Sequence, residues 1–349
     1  MLKRTIADRL IDWKNTPDHR CLMVRGPRQV GKTFSITRFI ETEYGSHIVI
    51  NFLENSSYKK IFSGDLDIKT ILTNISLYVR DSKIIPGNCC LFLDEIQECP
   101  EAITALKFLA QSAELDVIAS GSMLGIDYNR PVSYPVGSVE YIDMYALSFD
   151  EFLMAMGVSD EVNGMLEQCF IRKEQVPWAV HDKMMEYLRL YMVLGGMPEV
   201  INAYLRDYSI ADADRKQREI LEDYRYDIAH YASSDIKIKA ERCYFSLPDQ
   251  LLKDNHKFSY SVVEKGGTRR KYGSSLDWLT GAYLIKHVYN ISGYEMPLSS
   301  LAMEDNFRVY TTDIGLLMGM YDYALKEMIF MPEDEKTKLY NDVGVKSLP

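Results

Sequence analysis

Short, wholly apolar runs alternate with longer stretches of helical periodicity through the first 156 residues. Residues 21–24, "CLMV", are followed by Phe34, Ile36, Phe39 and Ile40 at helical spacing; "HIVINF" (47–52) is followed by Leu66, Ile68, Ile71, Leu72, Ile75 and Val79 within 66–80. Residues 89–93, "CCLFL", precede a helical stretch at 102–113, and "LDVIASGS" closes on Ser120, Gly121 and Ser122. Continuous apolar runs of this length suit strands buried on both faces, and their alternation with helices predicts a parallel sheet.

Beyond residue 148 the pattern becomes helical. Ser148 and Glu151 form an S-x-x-E capping box, and "LGGMPEV" (194–200) stops one helix at Gly195 and Gly196 and restarts near Pro198. The glycine pair is read as a helix stop, with a hinge as the alternative. Tyr187, Tyr191, Tyr224 and Tyr231 fall at helical intervals and are read as packing residues rather than a base-stacking surface. From residue 239 a helix to 253, a second at 259–264, the turn "KGGT", a third at 269–279 and two β-like runs, "AYLIKHVYNI" and "FRVYTTDIGLL", together predict a winged helix-turn-helix. Arg269, Arg270 and Lys271 open its third helix, where DNA contacts would sit. Protein docking and a plain solvated face are the competing readings. The expected division is 1–156, an α/β core; 157–238, a helical region; 239–330, the winged helix; and 331–349, a tail.

The chemistry lies where two apolar runs end. After the first stands "GPRQVGKT": Gly26, Pro27, Arg28, Gln29, Val30, Gly31, Lys32 and Thr33, with Phe34 next. This fits the phosphate-binding loop at every fixed position, between a strand and a helix. Glycines let backbone N–H groups close around a triphosphate at a helix N-terminus, Lys32 reaches the β- and γ-phosphates, and the Thr33 hydroxyl holds Mg²⁺. After the run 89–93 stand Asp94 and Glu95, a carboxylate for Mg²⁺ and a candidate base for the attacking water. Ser120 is the candidate sensor of the γ-phosphate, although its spacing suits a strand-ending serine before a turn equally well. The expected catalytic set is therefore Glu95, Lys32 and Ser120; the cofactors are ATP and Mg²⁺.

Composition narrows the remaining classes. With 349 residues, 47% hydrophobic and 26% charged, the chain is long enough for two or three domains. No apolar run approaches the roughly 20 residues of a membrane helix, and charges interrupt the N-terminus, so a cytoplasmic location is expected. A formal charge of −10 argues against broad nucleic-acid affinity. The six cysteines lack a C-x-x-C pair and the histidines lack metal-ligand spacing, which points away from zinc.

The ordered motifs "RGPRQVGKT", "LFLDEIQECP", "SGSMLG", "GGMPEV", "LPDQLLKDNHKFSYSVV" and "YTTDIGLL" resemble the prokaryotic AAA-superfamily ATP-binding proteins that carry a domain of unknown function after the ATPase. The resemblance covers essentially the whole chain. It implies an ATPase core, then a helical and winged-helix region, then a C-terminal module like restriction endonucleases. Adenine over guanine follows from the resemblance; it accords with the absence of an N-K-x-D string. Two departures stand out. Ser138 replaces a basic residue expected after "PVG", and the chain stops at Pro349, leaving no room for the nuclease-like module. The expectation is an ATPase that is not a nuclease. Asp334, Glu335 and Lys336 lie in a charged tail, and no arginine finger is identified beyond Arg130 as one candidate.

Overall fold

The computed structural model describes residues 2–80, 82–122 and 135–331. Arg130 and the tail residues Asp334, Glu335 and Lys336 lie outside this set. The chain divides into two compact units. One comprises Arg4–Tyr145 with Gly273–Lys286; the other comprises Ala146–Tyr272 with the start of the chain and the described residues from His287 on.

The first unit is built on a parallel sheet of β1 (Cys21–Arg25), β2 (Ser46–Asn51), β3 (Cys89–Asp94), β4 (Asp116–Gly121) and β5 (Val139–Asp143), in the order β2-β3-β4-β1-β5. Every residue of β3 is buried, as a strand covered by helices on both faces requires. Ile48, Ile50, Leu91, Leu93, Val117 and Ala119 form one core with Ile71 and Ile75 of the helix Ile68–Tyr78 and Leu106 of the helix Pro100–Leu109. Each large buried aliphatic contributes about 1.5–3 kcal/mol relative to exposure. β4 is inserted between β1 and β3, as expected from "LDVIASGS". β5 was not among the expected strands, because "VEYID" is short and its apolar positions are interrupted by two acids.

Local chemistry moved several boundaries. The helix expected over 66–80 begins at Ile68 because Asp67 caps it, accepting from the Thr70 N–H at 3.0 Å. The helix expected over 102–113 starts earlier, at Pro100, whose missing N–H costs nothing in a first turn. The single helix expected from 239 to 253 is two, Lys237–Phe245 and Leu247–Leu251; Pro248 cannot donate within a helix and so opens a new one. "FRVYTTDIGLL" likewise splits. Its strand ends at Thr311, and Asp313 caps the helix Ile314–Gly319, accepting from the Leu316 N–H at 2.9 Å.

The second unit is mainly helical; the helix Arg269–Gly281 and β6 (Ile285–Ile291) straddle the division, since Gly273–Lys286 belong to the first unit, and β6 forms a two-stranded antiparallel ribbon with β7 (Ala302–Thr311). A helical region followed by a small antiparallel hairpin is consistent with a winged helix. The capping box of Ser148 and Glu151 is present in both directions. Tyr224 and Tyr231 are buried, and Tyr191 packs on Phe149 and Phe152 while donating to the Leu147 carbonyl at 2.7 Å.

Polar groups organise the interior of this unit. Lys326 is fully buried; its amine donates to Asp214 and, at 2.5 Å, to the Gln217 Oε1. Gln217 donates in turn to the carbonyls of Val193 at 2.8 Å and Leu194 at 3.0 Å, which end the helix Trp178–Leu194. The glycine pair follows. A Cβ on Gly196 would stand 2.1 Å from the Leu147 carbonyl oxygen, and the Gly196 N–H donates to Asp313 at 2.7 Å. Close backbone approach therefore demands glycine at this helix stop.

Burial pushes the Asp313 carboxyl up to about 6, against the backbone donors at Gly196, Leu316 and Gly315 that favour its charge. A folded-state value above the unfolded one means that the native protein binds more protons between about pH 4 and 6. Asp313 therefore contributes stability at low pH that is lost as pH rises through about 6, an effect on the order of 3 kcal/mol. Urea unfolding of wild type and Asp313→Asn across pH 4.5–7.5 checks this. The stability difference between them is expected to shrink with rising pH, and a constant difference contradicts the assignment.

Candidate functional site

Parallel strands all end at one edge, and the register brings the polar residues together there. Val24 pairs with Ser120, Asn51 with Asp94, and Leu93 with Ala119. The loop Gly26–Gly31 leaves β1 at this edge and leads into the helix Lys32–Glu43. Gly26 has φ of 148°, and a Cβ there would lie 1.9 Å from the Met144 carbonyl oxygen, so no other residue fits. Gly31 has φ of 90°, which turns the chain into the helix. Arg4 supports the loop from outside, donating to the Val30 carbonyl at 2.7 Å and to the Tyr145 carbonyl at 2.6 Å.

Lys32 is 7% exposed, and its amine donates to the carbonyls of Gly26 at 3.0 Å and Pro27 at 2.7 Å. Burial pushes its pKa down to about 8, opposed by the nearby Glu95 and Asp94 and assisted by Arg28. Asp94 is the hub. Its Oδ2 accepts from the Thr33 hydroxyl at 2.9 Å and the Asn51 amide at 3.2 Å, and its Oδ1 accepts from the Ser120 hydroxyl. Burial raises the Asp94 pKa, while the Ser120 and Thr33 hydroxyls oppose the shift. Glu95 follows with φ of 51°, a left-handed conformation uncommon outside glycine that reorients the chain after the strand. Its Oε2 accepts from the Gln97 amide at 2.5 Å and, at 3.5 Å, from the Ser122 hydroxyl, to which Arg28 Nε donates at 3.3 Å.

The structure thus groups Lys32, Thr33, Asp94, Glu95 and Ser120. Pro27, Arg28, Gln29 and Val30 form the loop between the two glycines, and Phe34, 57% exposed, lies in the first turn of the helix. Asn51, Gln97 and Ser122 were missed in the sequence. Asn51 has a readable signal, a polar residue closing an apolar strand. Gln97 and Ser122 have none without the turn geometry that returns them to Glu95. A hydroxyl and a carboxylate beside a phosphate loop suit Mg²⁺, a hard cation usually held by one or two protein oxygens plus substrate phosphates. Among the described residues no group of three or more His, Cys, Asp or Glu side chains is arranged to hold a metal, and no helix is long and apolar enough to cross a membrane. All six cysteines are free and five are buried; burial pushes Cys21 up to about 12.

Arg269, Arg270 and Lys271 lie in the other unit. Arg269 pairs with Glu304 at 2.8 Å and Asp305 at 3.9 Å, and Lys271 pairs with Glu264.

This sheet order, loop and carboxylate edge define a P-loop nucleoside-triphosphatase domain. Residues 18–153 match the AAA domain family, and residues 185–326 match a domain of unknown function, DUF8612. Residues 18–153 are thus an AAA-type P-loop ATPase domain, and the DUF8612 match follows it in the chain. No curated protein matches the chain. Among solved structures, it is similar to a Walker-type ATPase of Pyrococcus abyssi, at 15% identity over 92% of this chain and 96% of that one, with a TM-score of 0.49. It is also similar to the ORC1 protein of Aeropyrum pernix, solved in complex with DNA, at 11% identity over 97% and 94% with a TM-score of 0.34. The Cdc6p of Pyrobaculum aerophilum has 13% identity over 93% of each chain and a TM-score of 0.32.

With its amine titrating at about 8, Lys32 loses charge as pH rises from 7 to 9, so affinity for a triphosphate is expected to weaken across that window, by at most about tenfold per pH unit. Titration of a fluorescent ATP analogue at fixed ionic strength measures it. A flat affinity would show that Lys32 keeps its charge throughout.

Proposed function

We propose that the protein is a Mg²⁺-dependent ATPase whose turnover drives a conformational switch in its winged-helix module. The convergence on Asp94 of Thr33 from the phosphate loop, Asn51 from β2 and Ser120 from β4 carries this reading. One carboxylate is thereby shared among the groups that would report the γ-phosphate. In this reading Lys32 exchanges the Gly26 and Pro27 carbonyls for the β- and γ-phosphates. Thr33 and Asp94 hold Mg²⁺, which supplies charge neutralisation on the phosphate oxygens. Glu95 takes the proton of the attacking water, and Ser120 turns from Asp94 towards the γ-phosphate.

For the winged helix, we propose a protein partner rather than DNA. Two of its three leading cations are already paired with Glu264, Glu304 and Asp305, so phosphate contacts there would have to break those pairs. The connection between β6 and β7 meanwhile exposes large apolar side chains, with Tyr294 at 91% and Met296 at 83%. A nucleotide-gated DNA-binding or protein-docking regulator with little hydrolysis is the alternative; the presence of Glu95 beside Asp94 favours turnover.

Two measurements test these assignments. Lys32→Ala is expected to abolish ATP binding, whereas Glu95→Gln keeps binding and lowers steady-state phosphate release by about 100-fold or more. Equal turnover in wild type and Glu95→Gln removes Glu95 from the role of base. Replacing Arg269, Arg270 and Lys271 together by Ala is expected to leave any duplex-DNA affinity and its salt dependence unchanged. A log–log slope reduced by about 0.9 per lost contact would assign this face to DNA instead.

A further inference from the structure

We infer that Gln97 is the positioning residue for Glu95, tethering one carboxylate oxygen so that the other is presented to the attacking water. The inference rests on the reading of Glu95 as the general base. Glu95 is the last residue before the short 3-10 turn Ile96–Glu98, and that turn is firmly anchored. Ile96 is fully buried, the Glu98 N–H donates to the Glu95 carbonyl at 3.0 Å, and the Cys99 N–H donates to the Ile96 carbonyl at 2.9 Å. The turn brings the Gln97 amide back onto the glutamate, where Nε2 lies 2.5 Å from Oε2. Ser122 reaches the same oxygen only at 3.5 Å, and its hydroxyl also accepts from Arg28. Gln97 therefore supplies the short tether on a side chain whose three torsions would otherwise leave the carboxylate free to turn.

The orientation of this amide is set by its partner. Reversing it would place the amide oxygen against a carboxylate oxygen, which is repulsive. Its own Oε1 is buried, with no hydrogen-bond partner among the described residues. Two other buried glutamines of the chain show what a structural amide does. Gln217 donates to the Val193 and Leu194 carbonyls and accepts from Lys326; Gln250 donates to the Ser259 carbonyl and accepts from the Ser259 N–H at 2.9 Å. Both use the two ends of the amide. Gln97 uses only the end that meets Glu95, and a buried polar atom left without a partner is costly enough to need a reason. In the reaction the water oxygen bonds to the γ-phosphorus as the bond to the β–γ bridging oxygen breaks. The water proton passes to Glu95 Oε1, and Gln97 exchanges no proton.

The test measures ATP turnover and the affinity for a non-hydrolysable ATP analogue in the full chain. Gln97→Leu and Gln97→Met both keep the volume and remove the donor. Each is expected to lower kcat by about 10–100-fold, as a misplaced base does, while KM and analogue affinity stay within about twofold of wild type. In single-turnover assays, Gln97→Leu added to Glu95→Gln is expected to slow hydrolysis no further, because a tether has no effect once its carboxylate is gone. Wild-type kcat in both Gln97 variants overturns the inference. So does a loss that is equally large in the Glu95→Gln background, or one that comes from KM alone. Failure of the underlying reading is a separate result: Glu95→Gln itself would turn over at the wild-type rate.

Discussion

The hydrogen bonds that converge on Asp94 depend on strand register. A parallel sheet delivers every strand's last residues to one edge, and in the order β2-β3-β4-β1-β5 the strand carrying Asp94 lies between those carrying Asn51 and Ser120. Asp94 is 2% exposed and so must be met by donors; Thr33, Asn51 and Ser120 provide them. A slip of one residue in β3 would turn its side chains to the opposite faces of the sheet and withdraw the carboxylate from all three. The apolar strands around it hold that register because neither face tolerates the exchange.

The same constraint explains the loop. Gly26 passes so close to the Met144 carbonyl that a side chain is excluded, and Arg4 ties the loop and the end of β5 together through the carbonyls of Val30 and Tyr145. Lys32 is thereby held in a buried position, where desolvation lowers its pKa despite two neighbouring carboxylates. The cation and the anions of the site are kept apart by backbone groups, since the Lys32 amine is satisfied by the carbonyls of Gly26 and Pro27. Charge is therefore stored in a preorganised form suited to a triphosphate.

The second unit uses buried polar groups differently. Lys326, Asp214, Gln217 and Asp313 bind helix ends and turns to one another, and the backbone carbonyls of Val193 and Leu194 and the N–H of Gly196 are satisfied by side chains distant in sequence. Such groups destabilise when left unpaired and so favour one arrangement of the helices over others.

The sequence by itself determined the phosphate loop, the adjacent carboxylates Asp94 and Glu95 at the end of an apolar strand, the inserted strand before Ser120 and the class of the core. These are local properties: glycine spacing, uninterrupted apolar runs and the residues at their ends. Tertiary structure alone decided the fifth strand, whose short, acid-interrupted "VEYID" does not announce a place beside β1. It also decided the pairing of Arg269 and Lys271 with acids, which turns a basic run into a largely neutralised face. Asn51, Ser122 and Gln97 join the site only because register and a tight turn bring them to Asp94 and Glu95. Hydrogen bonds between side chains depend on distances of about 3 Å, and the linear order of residues does not encode them until the sheet is assembled.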